Sequence, residues 1–230
     1  MRRAVHTVTF LTIGQAPRPD LSETIEAHLP ATARIRHAGV LDGLTRQEAE
    51  RTFGATEGGA TLLSRLADGE PVTLDADAIG AGLQSRIDQV EEAGSDVVVL
   101  LCTGEFPGLR TRRARLIEPD VLVTGYVGTV MRSSRVGFVV PLPEQVTEAR
   151  EKWRTVVPDP AFTTASPYAD NEAALLAAAC THLEAGADAL MLDCMGYGER
   201  HRRSLRAAGL TVPILTPGAL VGAALAPLLG

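Results

Sequence analysis

Lysine is nearly absent from this chain: Lys152 is the only one, and arginine supplies the rest of the basic charge. A Schiff-base mechanism is therefore excluded unless Lys152 carries it. Positive charge is also not in excess. The formal net charge of −6 has the wrong sign for a nucleic-acid surface. The nearest basic cluster, Arg110, Arg112, Arg113 and Arg115, reads as the solvated face of a helix. Cysteine is sparse, and three of them in no short-range pairing do not make a disulfide framework, which points to the reducing cytoplasm. No His/Cys spacing suits a metal site. An unbroken apolar run is missing as well. The most apolar stretch, Leu210 to Leu229, contains Pro213, Pro217 and Pro227 and cannot be one membrane helix. The run Val5 to Ile13 is broken by His6, Thr7, Thr9 and Thr12, which reads as a strand and not a signal peptide. What remains is a soluble, cytoplasmic, globular chain with neither nucleic acid nor membrane as partner. Its 230 residues suffice for one large domain or two small ones.

What is present is a sentence written twice. Residues 92–104 read EAGSDVVVLLCTG and residues 184–196 read EAGADALMLDCMG, so Glu92/Glu184, Gly94/Gly186, Asp96/Asp188, Cys102/Cys194 and Gly104/Gly196 coincide at a fixed offset. Each copy is a helix end with glycine in the left-handed position, then a buried strand, then cysteine and glycine. Both thiols are thus placed where the chain leaves the C-terminal edge of a strand, which is where open α/β sheets bind ligands.

Strand and helix patterns alternate along the chain, which predicts parallel sheets covered on both faces. Strands are expected at Val5–Thr12, Arg34–Val40, Val72–Leu74, Asp96–Leu101, Val121–Thr124, Arg135–Val140, Phe162–Ala165, Asp188–Leu192 and Val212–Leu215. Helices are expected from a capping box at Asp20/Glu23 to Leu29, at Thr45–Thr52, Gly59–Leu66, Asp75–Glu92, Leu109–Leu116 and Val127–Arg132. Later helices are expected from Pro141/Pro143 to Val156, at Asn171–Glu184, Glu199–Ala207 and Ala219–Ala226, the last ended by Pro227. A second round opens near Arg135. Residues 1–134 therefore read as an N-terminal α/β lobe, 135–215 as a C-terminal α/β lobe, and 216–230 as a terminal helix returning to the first.

Either cysteine alone reads as core packing, because free cysteine is among the most buried residue types. A duplicated pair at the ligand edge reads as Cys102 and Cys194 facing one site. Inverting a carbon next to a carboxylate needs an acid on one face and a base on the other, and thiols can serve as both. Gly104 and Gly196 let backbone N–H groups approach an anion where a helix begins, with Thr103, Met195 and Tyr197 beside them. In the loop after the first strand, Gln15 and Arg18 are candidates for holding a substrate carboxylate, Arg18 bidentately. Asp193, just before Cys194, is either structural or positions a neighbour. Cys180 reads as packing on an Ala-rich helix and His182 as a helix-end residue.

The strings Thr12-Ile-Gly-Gln-Ala-Pro-Arg18, Ile117-Glu-Pro119 and Leu192-Asp-Cys-Met-Gly-Tyr197 through Arg200-His-Arg202 resemble the AroM family nearly end to end. That family is placed in the aspartate/glutamate racemase superfamily, with hydantoin racemases, maleate isomerases and arylmalonate decarboxylases. The resemblance implies two pseudo-symmetric α/β lobes with an active site between them, no cofactor, and catalytic cysteines at Cys102 and Cys194. Amino-acid racemases of the superfamily follow the first cysteine with Asn-Thr and the second with Thr-His. This chain has Thr103-Gly104 and Met195-Gly196 instead, so an amino-acid binding apparatus is not carried over. The expected function is a cofactor-independent racemase or epimerase acting on a small carboxylate. The alternatives are a decarboxylase or cis–trans isomerase using mainly Cys194, a non-catalytic small-anion binding or regulatory protein, and a redox sensor in which the two thiols oxidise. A homo-oligomer is compatible with any of these.

Overall fold

The computed structural model describes residues 6–169 and 171–229. In chain order the first half contains β1 (Thr7–Thr12), α1 (Pro19–Glu26), β2 (Arg34–Gly39), α2 (Arg46–Phe53), β3 (Thr61–Arg65), β4 (Pro71–Asp75), α3 (Ala76–Glu92), β5 (Val97–Leu100), β6 (Arg115–Ile117) and α4 (Pro119–Val130). The second half contains β7 (Val136–Val140), a 3₁₀ turn (Pro143–Gln145), α5 (Val146–Trp153), β8 (Ala161–Thr164), α6 (Glu172–Glu184), β9 (Ala189–Leu192), α7 (Glu199–Ala207), β10 (Ile214–Leu215) and α8 (Pro217–Leu229). Val5, expected to start the first strand, lies outside the described residues.

Two four-stranded parallel sheets result, ordered β2-β1-β5-β6 and β8-β7-β9-β10. The orders are equivalent, so the duplication seen in the sequence extends to the topology. The central strands β1, β5, β7 and β9 are buried at every position, because helices cover both faces. The duplicated Glu-Ala-Gly closes α3 and α6 alike. Gly94 and Gly186 sit at φ +88° and +85°, and the next N–H returns to the helix, Ser95 to Val90 O and Ala187 to His182 O. Past the regular ladder, Leu101 N–H bonds Leu11 O and Asp193 N–H bonds Val139 O. Each pairing carries its strand one step further and delivers the next residue, a cysteine, at the sheet edge.

The two lobes exchange helices. Val123, Val127 and Met131 from α4 and the residue after it pack with Phe138 and Trp153 of the second lobe. Val221, Leu225 and Leu229 of α8 pack with Val8, Phe10, Leu21 and Ile25 of the first.

Several elements differ from the sequence reading. Gly59–Leu66 is not a helix. Leu62 and Ser64 are buried while Thr61, Leu63 and Arg65 are less so, a period of two that pairs β3 antiparallel with β4. The Leu109–Leu116 helix is also absent. The Glu91 carboxylate accepts N–H bonds from Arg112, Arg113 and Ala114 at 2.8–3.0 Å, so these amides have no need of helical carbonyls, and the chain then pairs as β6. Val121–Thr124 is helical within α4 despite its β-branched residues, because the i, i+4, i+8 series Val123, Val127, Met131 meets the second lobe. The α1 capping box does not form, since Pro19 already opens the helix and Asp20 pairs with Arg18 instead. α8 continues through Pro227 and buries Leu229. Among the described residues, no helix is long and apolar enough to cross a membrane.

Candidate functional site

A cavity of about 80 Å³ lies between the C-terminal edges of the two sheets. At roughly 10–15 Å³ per water it has room for about half a dozen waters, or a small organic molecule. Cys102, Thr103 and Gly104 reach it from the end of β5, and Asp193, Cys194 and Met195 from the end of β9. The β3 segment Thr61–Ser64, which the first lobe has in addition to the shared topology, forms one wall. Gln145 at the N-cap of α5, and Glu148 and Lys152 within the helix, recur at helical spacing and form another. Tyr168 completes the enclosure.

The thiols have matching local geometry. Gly104 N–H donates to Cys102 Sγ at 3.4 Å, and Gly196 N–H donates to Cys194 Sγ at 3.4 Å. Both cysteines are free, and neither is fully buried as a residue, since each opens on the cavity. Glycine is required after Cys194 for space: a Cβ on Gly196 would stand 2.8 Å from Pro167 Cγ and 2.9 Å from the Tyr168 ring.

Their electrostatic settings differ. Desolvation pushes Cys102 up to about 11, opposed by the Gly104 hydrogen bond and by Lys152. Desolvation pushes Cys194 up to about 12, opposed by Gly196 N–H and reinforced by the neighbouring Cys102 and Asp193. Lys152 belongs to a buried ionic network. Its Nζ lies 2.8 Å from Asp120 Oδ1 and 3.6 Å from Asp193 Oδ2, and it donates to Thr103 O at 3.2 Å. Burial works against the Lys152 charge, but Asp193 and Asp120 hold its pKa above the ordinary value. Asp193 Oδ2 also accepts from Trp153 Nε1 at 2.6 Å. Asp193 is thus both structural and a positioner of its neighbour.

Of the residues expected in the site, Cys102, Cys194, Thr103, Gly104 and Met195 line the cavity. Gln15, Arg18, Gly196 and Tyr197 do not. Gln15 ties loops together, its Nε2 donating to Leu41 O and Leu44 O and its Oε1 accepting from Ala67 N–H. Arg18 is buried with its guanidinium on Asp20 at 2.7 and 2.8 Å, and it also reaches the Tyr168 hydroxyl at 3.3 Å. Tyr197 is core, its hydroxyl donating to Ala165 O. Cys180 is half-buried on α6, and His182 is buried against Phe138 O and Thr163, away from the cavity.

The expected anion cradle also takes a different form. No helix starts after Cys102, and the Gly104 and Gly196 N–H groups are given to the sulfurs. The N–H groups of Thr103 and Met195, one residue after each thiol, have no protein acceptor among the described residues. Sequence reasoning missed Lys152 as a site residue, together with Asp120, Gln145, Glu148 and Tyr168. The helical spacing of Gln145, Glu148 and Lys152 was the only signal, and nothing local marks Tyr168.

The family model for AroM protein matches residues 8–229. The chain belongs to the AroM family. A search of curated protein sequences found no match. Among solved structures, this AroM chain is similar to the allantoin racemase from Klebsiella pneumoniae at 17% identity and TM-score 0.64, covering 97% of this chain and 89% of that one. It is similar to the maleate isomerase Iso from Pseudomonas putida S16 at 14% identity and TM-score 0.59, covering 98% and 93%. The glutamate racemase from Francisella tularensis, solved with D-glutamate, is similar at 12% identity and TM-score 0.55, covering 97% and 81%. At these identities the likeness is one of fold. The AroM chain has the Asp/Glu racemase-like fold.

Proposed function

We propose that this cavity carries out cofactor-independent proton exchange at the acidic carbon of a small carboxylate, as a racemase or epimerase, with Cys102 and Cys194 as opposed base and acid. The observation that carries the reading is the pseudo-symmetric pair of thiols, each with the same Gly N–H contact, on one cavity. In one direction the Cys102 thiolate takes the proton from the carbon. The electron pair left on that carbon then takes the proton of the Cys194 thiol from the other face. Cys102 ends as thiol and Cys194 as thiolate, ready for the opposite enantiomer. The free N–H groups of Thr103 and Met195 supply donors for the carboxylate, which gathers charge as the carbon is deprotonated.

Cys102 is assigned as the base because Lys152 counters its burial, whereas Asp193 reinforces that of Cys194. One sulfur must be ionised for turnover. Activity is therefore expected to climb with pH from neutrality toward about 11, the value for Cys102.

The test is deuterium incorporation at the reacting carbon in D₂O across a panel of small chiral acids, followed by proton NMR. Cys102→Ser and Cys194→Ser are each expected to lower exchange by about 10²–10⁴-fold. If Cys102→Ser retains activity while Cys194→Ser abolishes it with CO₂ release, the chemistry is a one-thiol decarboxylation. Tight binding without exchange or CO₂ release would make the protein a non-catalytic anion binder.

A further inference from the structure

The cavity has a sign. Glu105, Glu148 and Asp193 line it, against Lys152 as the one cation on its lining among the described residues. Lys152 is not free to meet a ligand, since Asp120 and Asp193 already hold its ammonium group. Off the lining, Arg18 is committed to Asp20, and Arg65 lies against the outer side of Tyr168, over its ring and on its carbonyl oxygen. Two acceptors in the lining residues are moreover buried and unfilled, Gln145 Oε1 and Asp193 Oδ1. Asp193 is 7% exposed, so water from outside does not reach it freely. A buried acceptor without a donor is costly, and a ligand that brings N–H groups relieves that cost. A second carboxylate would instead meet Glu105 and Glu148 with no cation on the lining free to pair with it.

Given the reading of the cavity as a proton-exchange site for a small acid, we infer that its ligand bears N–H donors on the carbon beside the carboxylate, as an ammonium or a ureido group, and that dicarboxylates are excluded. The carboxylate takes the Thr103 and Met195 N–H groups, and the nitrogen substituent takes the acceptor side of the cavity. Burial and Glu105 raise Glu148, and the Glu148 and Asp120 charges in turn help to hold Cys102 protonated.

Four probes that differ only in the substituent on one carbon decide the matter: alanine, N-carbamoylalanine, lactate and methylmalonate. Binding is measured by ligand-observed NMR and thermal shift, independently of turnover. At least one nitrogen-bearing probe is expected to bind about tenfold or more tighter than lactate, with methylmalonate weakest. Glu148→Gln, at the exposed rim, is expected to narrow the gap between alanine and methylmalonate by about tenfold. Methylmalonate binding as tightly as the nitrogen-bearing probes overturns the inference, as does binding by none of the four. An unchanged gap in Glu148→Gln overturns it too. Preferential binding of a nitrogen-bearing probe without deuterium exchange leaves the ligand class standing and removes only the racemase reading.

Discussion

Two cysteines in equivalent places are not equivalent residues. The strand before Cys194 ends in Asp193, where the first copy has Leu101, so only Cys194 has a carboxylate as its neighbour in the chain. Lys152 answers it from α5, bridging Asp193 and Asp120 while bonding the carbonyl that follows Cys102. Lys152→Met removes the cation and leaves two carboxylates without it, which is expected to cost about 3–5 kcal/mol and lower the melting temperature. The same variant is expected to move the alkylation midpoint of Cys102 to higher pH, because a positive neighbour favours the thiolate. Iodoacetamide labelling against pH, with Cys102 and Cys194 resolved by mass spectrometry, checks this within one sample. Selective slowing at Cys102 supports the tuning role, whereas equal acceleration at both thiols would mean the variant is merely loosened. The thiols were visible in the sequence; Lys152 beside Cys102 was not, since no spacing links it to residue 103.

At the scale of elements, the β3–β4 hairpin is what makes the two-lobed sheet pair into an enclosure. It packs Leu62, Val72 and Leu74 into the first-lobe core, and it is also tied to the second lobe. Arg65 lies 4.4 Å over the Tyr168 ring and donates to Tyr168 O at 2.8 Å, and Gln145 Nε2 donates to Thr61 O at 3.1 Å. Arg65→Ala removes a cation–π contact and one hydrogen bond, an expected loss of about 1–2 kcal/mol. Hydrogen exchange is expected to quicken across residues 61–75 while β1 and β7 stay protected. Uniform quickening across both sheets would show that the hairpin does not move as a separate unit. The adjacent leucines of Thr61-Leu-Leu-Ser-Arg65 show no apolar/polar alternation, so the strand was not legible in the sequence. Pairing with β4 decided the outcome.

At the scale of the molecule, the exchange of α4 and α8 is expected to make the lobes unfold as one cooperative body. Each sheet is completed by a helix that follows the other lobe's chain or precedes it, so neither core is whole alone. Leu225 is 1% exposed in the first-lobe core, and Leu225→Ala is expected to cost about 2–5 kcal/mol. Trp153, the only tryptophan, reports on the other lobe, where it is fully buried. In denaturant titrations, Trp153 fluorescence and far-ultraviolet circular dichroism are expected to coincide in both proteins, with the variant shifted in both signals. A first-lobe mutation that leaves the Trp153 transition in place would show that the lobes unfold separately.

The sequence by itself determined what depends on near neighbours. Glycine after Glu-Ala must close a helix in the left-handed region, an all-apolar run must become a buried strand, and the next residues must leave at its end. Writing that pattern twice places two thiols at equivalent sheet edges. The tertiary structure decided everything set by groups far apart along the chain. The Glu91 carboxylate turned an expected helix into a loop and strand, and Arg18 went to Asp20 and Tyr168 instead of the cavity. Lys152 reached the carbonyl after Cys102. In each case a buried charge or backbone amide had to find a partner out of water, and its choice depended on which surfaces packing had already brought within reach.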